Sequence, residues 1–201
     1  GDAIDPGFAR FTLTRGAERF YSDLFFGRLE SEKVYSIDFV NAAAWMVSVR
    51  CLHAVGGFDP LFHMYGEDDD YCRRVLQHGF QIGMLPGAVV CHARGKGDQV
   101  SRDRSARRTV AALYSREKSR SIVELKTPGN FLRVVALWYL GIFYSGMRAI
   151  INRNMHGLVV QMMIAVRLTM LLPRIYAHRR MSARPGPIWL SSPGTQLRRL
   201  G

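Results

Sequence analysis

Apolar and polar residues follow two different rhythms along the 201-residue chain, and the rhythm changes near residue 100. Before that point the apolar runs are short and broken by Gly, Pro and Asp. Val34 to Val40 reads as a strand with Ile37 and Phe39 on one face, and Ala44 to Val49 as another. Ser48 is placed to cap a short helix over Arg50–Val55 that Gly56 stops, and Gly57-Phe58-Asp59-Pro60 is a turn. Glu67 to His78 has helical spacing and closes at Gly79. Phe80–Leu85 and Ala88–His92 read as short strands joined at Pro86-Gly87.

Beyond Gly97 the pattern lengthens. Ser101 to Lys126 reads as a polar, basic helix, which Pro128-Gly129-Asn130 breaks. Phe131–Ile151 and Leu158–Arg180 are long, apolar and helical in spacing. The final stretch, with Pro185, Pro187 and Pro193 among Gly, Ser and Arg, has the composition of a disordered tail. The expected organisation is residues 1–100 as one domain, 101–180 as a basic apolar helical region, and 181–201 as tail.

Charge reinforces that division. Residues 1–100 hold 10 Lys+Arg against 13 Asp+Glu, a net −3, whereas residues 101–201 hold 18 against 3, a net +15. A basic second part favours an anionic surface. Its cations flank long apolar helices rather than interleaving with aromatics, which selects lipid over nucleic acid. Val134–Met147 is an uncharged run of 14 residues between Arg133 and Arg148, shorter than the roughly 20 a membrane span requires. Gln161 and Arg167 interrupt the next one. Interfacial helices fit, with Trp138, Tyr139 and Tyr144 at headgroup level; the alternative is a soluble hairpin packed on the rest of the chain. Cys51, Cys72 and Cys91 are widely spaced and read as reduced, buried thiols of a cytoplasmic protein.

The densest chemical signal is Tyr65-Gly66-Glu67-Asp68-Asp69-Asp70-Tyr71-Cys72-Arg73-Arg74. Acids at a helix start suit its unpaired N–H groups. Asp69–Arg73 and Asp70–Arg74 are four apart, acid first, as on a solvated face. Asp68 instead shares a stripe with Tyr71, Cys72, Val75 and Leu76. A carboxylate at the mouth of a buried face has its pKa raised by desolvation and becomes a better proton acceptor.

Val55-Gly56-Gly57-Phe58-Asp59, followed by Phe62 to Arg73 and then Gly79, Pro86 and His92, resembles the central motif of family-2 glycosyltransferases over residues 34–97. The resemblance implies an α/β fold, the C-terminal half of a GT-A nucleotide-diphospho-sugar transferase with a helical extension. It implies inverting transfer of a sugar from a nucleotide-sugar donor to a glycan or lipid-linked acceptor, with Asp68 as catalytic base and Glu67 beside it. Gly56, Gly57, Phe58 and Asp59 would line the acceptor pocket, and His92 would ligate a divalent Mg or Mn. The implied setting is the cytoplasmic face of an anionic membrane, peripherally bound. The nucleotide-binding half that such an enzyme needs is not found before Val34, so the isolated chain is expected to be inactive. The competing expectation is a non-catalytic membrane-surface module.

Overall fold

A computed structural model describes residues 20, 22–40, 42, 44–62, 65–90 and 106–190. Two short strands, β1 (Tyr35–Ile37) and β2 (Ile82–Met84), pair antiparallel with Ser36 opposite Gly83. Between them lie helices α1 (Val49–Val55) and α2 (Glu67–Gln77). Three longer helices follow: α3 (Ala106–Leu125), α4 (Phe131–Ile151) and α5 (Met155–Ser182).

Local chemistry sets most of these boundaries. Ser48 caps α1, its side chain accepting from the Cys51 N–H, and Gly56 ends the helix at φ +83°. Asn130 caps α4 by accepting from Arg133, and Asn154 caps α5 by accepting from Gly157. The Pro128-Gly129 break therefore runs directly into a new N-cap.

Two apolar cores form. In the N-terminal head, Cys51 and Val55 of α1 pack on Tyr71 and Val75 of α2, with Trp45, Val47, Phe80 and Ile82 around them. The second core joins Ile122, Val123 and Leu125 of α3, Trp138 of α4, and Val160, Ile164, Leu168 and Ile175 of α5. Phe62 of the head plugs into this second core. The head rests on α3, where Arg116 lies over the Tyr65 ring and Gly66 approaches Ser119. The head thus sits on α3 and on the C-terminal end of α5, and α3 packs along the antiparallel α4–α5 hairpin.

Several expectations need correction. The α/β GT-A sheet is not formed: the described residues are mainly helical, and their one sheet is two antiparallel strands of three residues each. A doubly wound sheet requires parallel strands joined by crossovers, and no parallel pair occurs among the described residues. Ala44–Val49 makes no strand; Trp45 and Val47 pack as a loop against α1 and α2. Ala88–Val90 is irregular, with Val89 84% exposed, and the rest of that expected strand lies outside the described residues.

The tail expected from 181 is docked as far as Leu190. Gly186 donates to the Ala54 carbonyl and Gly57 to that of Ile188. Residues 191–201 lie outside the described ones. A Cβ at Gly56 would fall 2.1 Å from the Ile188 carbonyl oxygen. The backbone there, φ +83° and ψ −161°, is also one that essentially only glycine adopts. Gly56→Ala is therefore expected to destabilise the protein by about 1–3 kcal/mol from backbone strain alone. Denaturation in detergent measures the loss, and hydrogen exchange should accelerate at the Gly57 and Gly186 amides.

Candidate functional site

The acidic start of α2 divides in two, along a different line from the one the helical spacing suggests. Asp69 and Arg73 make the expected exposed pair, 2.7 Å apart. Asp70 and Arg74 do not: both side chains are almost wholly buried, and Arg74 Nε donates to Asp70 Oδ2 at 2.9 Å. Arg74 also donates to the carbonyls of Val55 and Gly57, both at 2.8 Å. One guanidinium thus ties α2 to the turn after α1.

Asp70 belongs to a buried ion cluster. Lys126, at the end of α3, places its ammonium against Asp70 Oδ1 and 2.6 Å from Asp59 Oδ2. Asp59 Oδ1 accepts from the Leu61 N–H and meets His178 Nδ1 of α5 at 2.7 Å. Trp189 roofs the cluster, stacked on His178 and within about 5 Å of both Arg74 and Lys126. Burial pushes the Asp59 pKa up. The Lys126 charge and the bonds from Lys126, Leu61 and His178 outweigh it and hold Asp59 below the ordinary carboxylate value.

The residues assigned to an acceptor pocket accordingly have other duties. Gly56 and Gly57 lie under Ile188 and Trp189, and Asp59 is consumed by Lys126 and His178. Phe58 is half exposed and packs with Trp45 and Tyr71. These contacts explain the Gly-Gly-Phe-Asp turn without a ligand.

Asp68 stands apart, half buried on the rim of the head. Its Oδ1 accepts from the Asp69 N–H at 2.9 Å. Desolvation, aided by the neighbouring Glu67 and Asp69 charges, raises its pKa. Beside it Glu67 Oε2 is buried without a hydrogen-bond partner among the described residues. Behind them burial pushes the Cys72 thiol up to about 11, which keeps it protonated. Asp68 holds its proton more tightly than an ordinary carboxylate, but no group of three or more His, Cys, Asp or Glu able to bind a metal occurs among the described residues. His92 lies outside them.

The helices behind this head carry the other functional feature. Both α4 and α5 are long and apolar enough to cross a membrane, yet only 11% and 22% of their most apolar windows are buried. Leu132, Leu140, Phe143 and Ile151 of α4, and Met162, Val166 and Met170 of α5, are each more than half exposed. The core helix of a soluble protein would bury that surface. Counting only the uncharged run from Val134 to Met147 understates α4: its 21 residues reach about 31 Å, with Arg133 and Arg148 near its ends. The peripheral assignment gives way to an integral one.

The family model that matches the chain is cytochrome b (C-terminal)/b6/petD, over residues 124–191. That is 68 of 201 residues, from the last turn of α3 through the docked turn after α5. No curated protein and no solved structure matches. The match names a membrane helical cytochrome family and not a glycosyltransferase. With the helical fold it overturns the assignment as a sugar-transferring enzyme, and with it the nucleotide-sugar donor, the glycan acceptor, the Mg or Mn and the general-base role of Asp68 in that reaction. It equally displaces the non-catalytic surface module.

A cytochrome family implies haem, and the described residues do not fit one. His78 Nε2 is bonded to the Ser182 carbonyl, and His178 is taken by Asp59 and Trp189. His156 is 22 residues from His178 on the same helix, about 33 Å away, and His53 is exposed on α1 in the head. Two cavities flank the C-terminal part of α5; one contains His78 as its only histidine, the other none, and neither contains Met or Cys.

Two carboxylates should respond oppositely to charge removal. The raised pKa of Asp68 means that the folded state loses stability as pH rises from the ordinary carboxylate value through the raised one. Asp68→Asn should therefore be more stable than the parent at neutral pH, the gap closing under acid. Asp59, held low, contributes stability that is lost as pH falls through its folded pKa. Asp59→Asn should cost about 3–5 kcal/mol at neutral pH, because it breaks a buried pair. Denaturant titrations at several pH values read both.

Proposed function

We propose that this chain is a haem-free helical subunit of a membrane electron-transfer assembly, embedded through the α4–α5 hairpin and carrying its head in water. The observation behind this reading is a coincidence of place. The stretch similar to the cytochrome b C-terminal family is the same stretch whose apolar helices stand open. Since His178 is committed to Asp59 and His156 stands about 33 Å from it on the same helix, the hairpin's contribution is packing surface for haem-bearing partners rather than a pair of axial ligands.

The packing of α3 along one side of the hairpin supports an orientation. Helix α3 runs against the hairpin, from Tyr114 to Leu125, and carries Arg116, Glu117, Lys118, Arg120 and Glu124. Charges so placed belong at the water side. Arg167 and Arg174, seven apart, lie on one edge of the exposed face of α5, where their stems can snorkel upward. The hairpin is thus embedded with its open faces toward lipid and α3 toward water. The Lys and Arg residues that flank the hairpin, with no Asp or Glu between residues 127 and 190, favour the cytoplasmic side.

Alkaline carbonate should leave the chain in the membrane pellet, and release into the supernatant contradicts embedding. In mild detergent the chain from native membranes should co-elute with b-type haem absorbance, and should lose that absorbance when purified to homogeneity. Elution alone and haem-free in mild detergent refutes the electron-transfer assignment. Stoichiometric haem on the pure chain refutes the haem-free one.

A further inference from the structure

Two cavities of different chemistry adjoin at the C-terminal end of α5. The first, about 400 Å³, lies between α2, the α3–α4 turn and the last turn of α5, and is lined by Arg73, His78, Lys126, Gly129, Arg179 and Arg180 among others. The second, also about 400 Å³, is lined by Asn130, Phe131, Leu132, Leu172, Pro173 and Tyr176. Gly129 borders the first and Asn130 the second. Arg179 joins them, lining the basic cavity while its guanidinium lies 5.4 Å from the centre of the Phe131 ring.

The basic cavity has positive charge to spare. Its one carboxylate, Asp70, is taken by Arg74 and Lys126, and Lys126 is shared with Asp59, so two acids and two bases cancel. Arg73 is neutralised by Asp69. Arg179 and Arg180 have no carboxylate partner among the described residues. Arg179 is held in place by carbonyls instead, Nε to Thr127 at 3.1 Å and Nη2 to Gly129 at 2.6 Å. Those two bonds also brace the turn between α3 and α4, which accounts for part of the charge there. Its Nη1 and the N–H groups of Arg180, whose guanidinium lies 5.9 Å from the Tyr176 ring centre but makes no hydrogen bond to a described residue, remain for a ligand. Residues 127–190 contain no Asp or Glu, so nothing within the hairpin can quench them.

We propose that these joined cavities bind one anionic phospholipid, its phosphate between Arg179 and Arg180 and an acyl chain along Leu132, Leu172 and Pro173. The proposal rests on the membrane reading, because only a chain whose hairpin lies in lipid has its α5 terminus at headgroup depth. Planar guanidinium groups match a phosphate through paired, charge-assisted bonds. The apolar notch beside them is what separates a lipid from a soluble phosphate.

Native mass spectrometry of the full chain in detergent tests this with phosphatidic acid, phosphatidylcholine and inorganic phosphate as probes. One phosphatidic acid should be retained per chain, at least about tenfold more strongly than phosphatidylcholine, in line with two charge-assisted contacts. Arg180→Gln should lose that preference. Because Arg180 makes no hydrogen bond that holds the fold, the variant separates binding from folding. Leu132→Glu should weaken phosphatidic acid as well, while Arg148→Gln, in the last turn of α4 at the far end of the hairpin, should change nothing. Equal retention of both lipids, or of phosphatidic acid by Arg180→Gln, overturns the site. Displacement by equimolar inorganic phosphate overturns the lipid and assigns a soluble phosphate. Carbonate extraction of the same samples keeps the two claims apart: pelleted protein without lipid preference removes the site and leaves the membrane reading standing.

Discussion

The Lys126 ammonium, buried between Asp59 and Asp70, is the contact on which the arrangement of this molecule depends. Isolated in a protein interior, any one of these charges is prohibitively costly. Together, with Arg74 against Asp70 and His178 against Asp59, each finds a partner. The five residues come from five places: the turn after α1, the first turn of α2 and a later turn of the same helix, the end of α3, and the last turns of α5. They can be satisfied only when head, α3 and hairpin are assembled in one geometry. A hydrophobic contact between the same parts would tolerate sliding; a set of short, directional bonds does not.

That restriction matters because of what lies outside it. The apolar outer surfaces of α4 and α5 are unspecific, and could meet lipid at any rotation about the hairpin axis. Fixing the head and α3 on the opposite side removes this freedom. In the proposed membrane setting it directs the apolar face to lipid, keeps the charged α3 in water, and brings Arg179 and Arg180 to the boundary between the two. Trp189, roofing the cluster, extends the same device to the segment after α5.

Much of the local structure was legible in the chain, and the reasons are local. The Ser48 cap, the Gly56 stop, the break at Pro128-Gly129 and the limits of α4 follow from chemistry within a few residues. The ion cluster was not legible. Asp70 and Arg74 have the spacing of an exposed pair, and nothing in that spacing reports the Lys126 that buries them, 56 positions away. The glycosyltransferase resemblance failed for a related reason. Paired glycines, an Asp and an acidic helix start are also what a tight turn beneath Ile188, an ion cluster and a helix N-terminus need. The membrane helices were undervalued because uncharged residues were counted, whereas helix length and open surface decide.

Coupling between Asp59 and Lys126 tests the central claim most directly. A double-mutant cycle over Asp59→Asn and Lys126→Met, with unfolding free energies measured in one detergent at neutral pH, isolates the pair from its surroundings. A buried bond joining separate parts of the fold predicts a coupling of about 2–3 kcal/mol, near the upper end for residues in contact. Additive losses, with coupling under about 0.5 kcal/mol, would contradict it and leave the head held to the hairpin by apolar packing and the remaining hydrogen bonds.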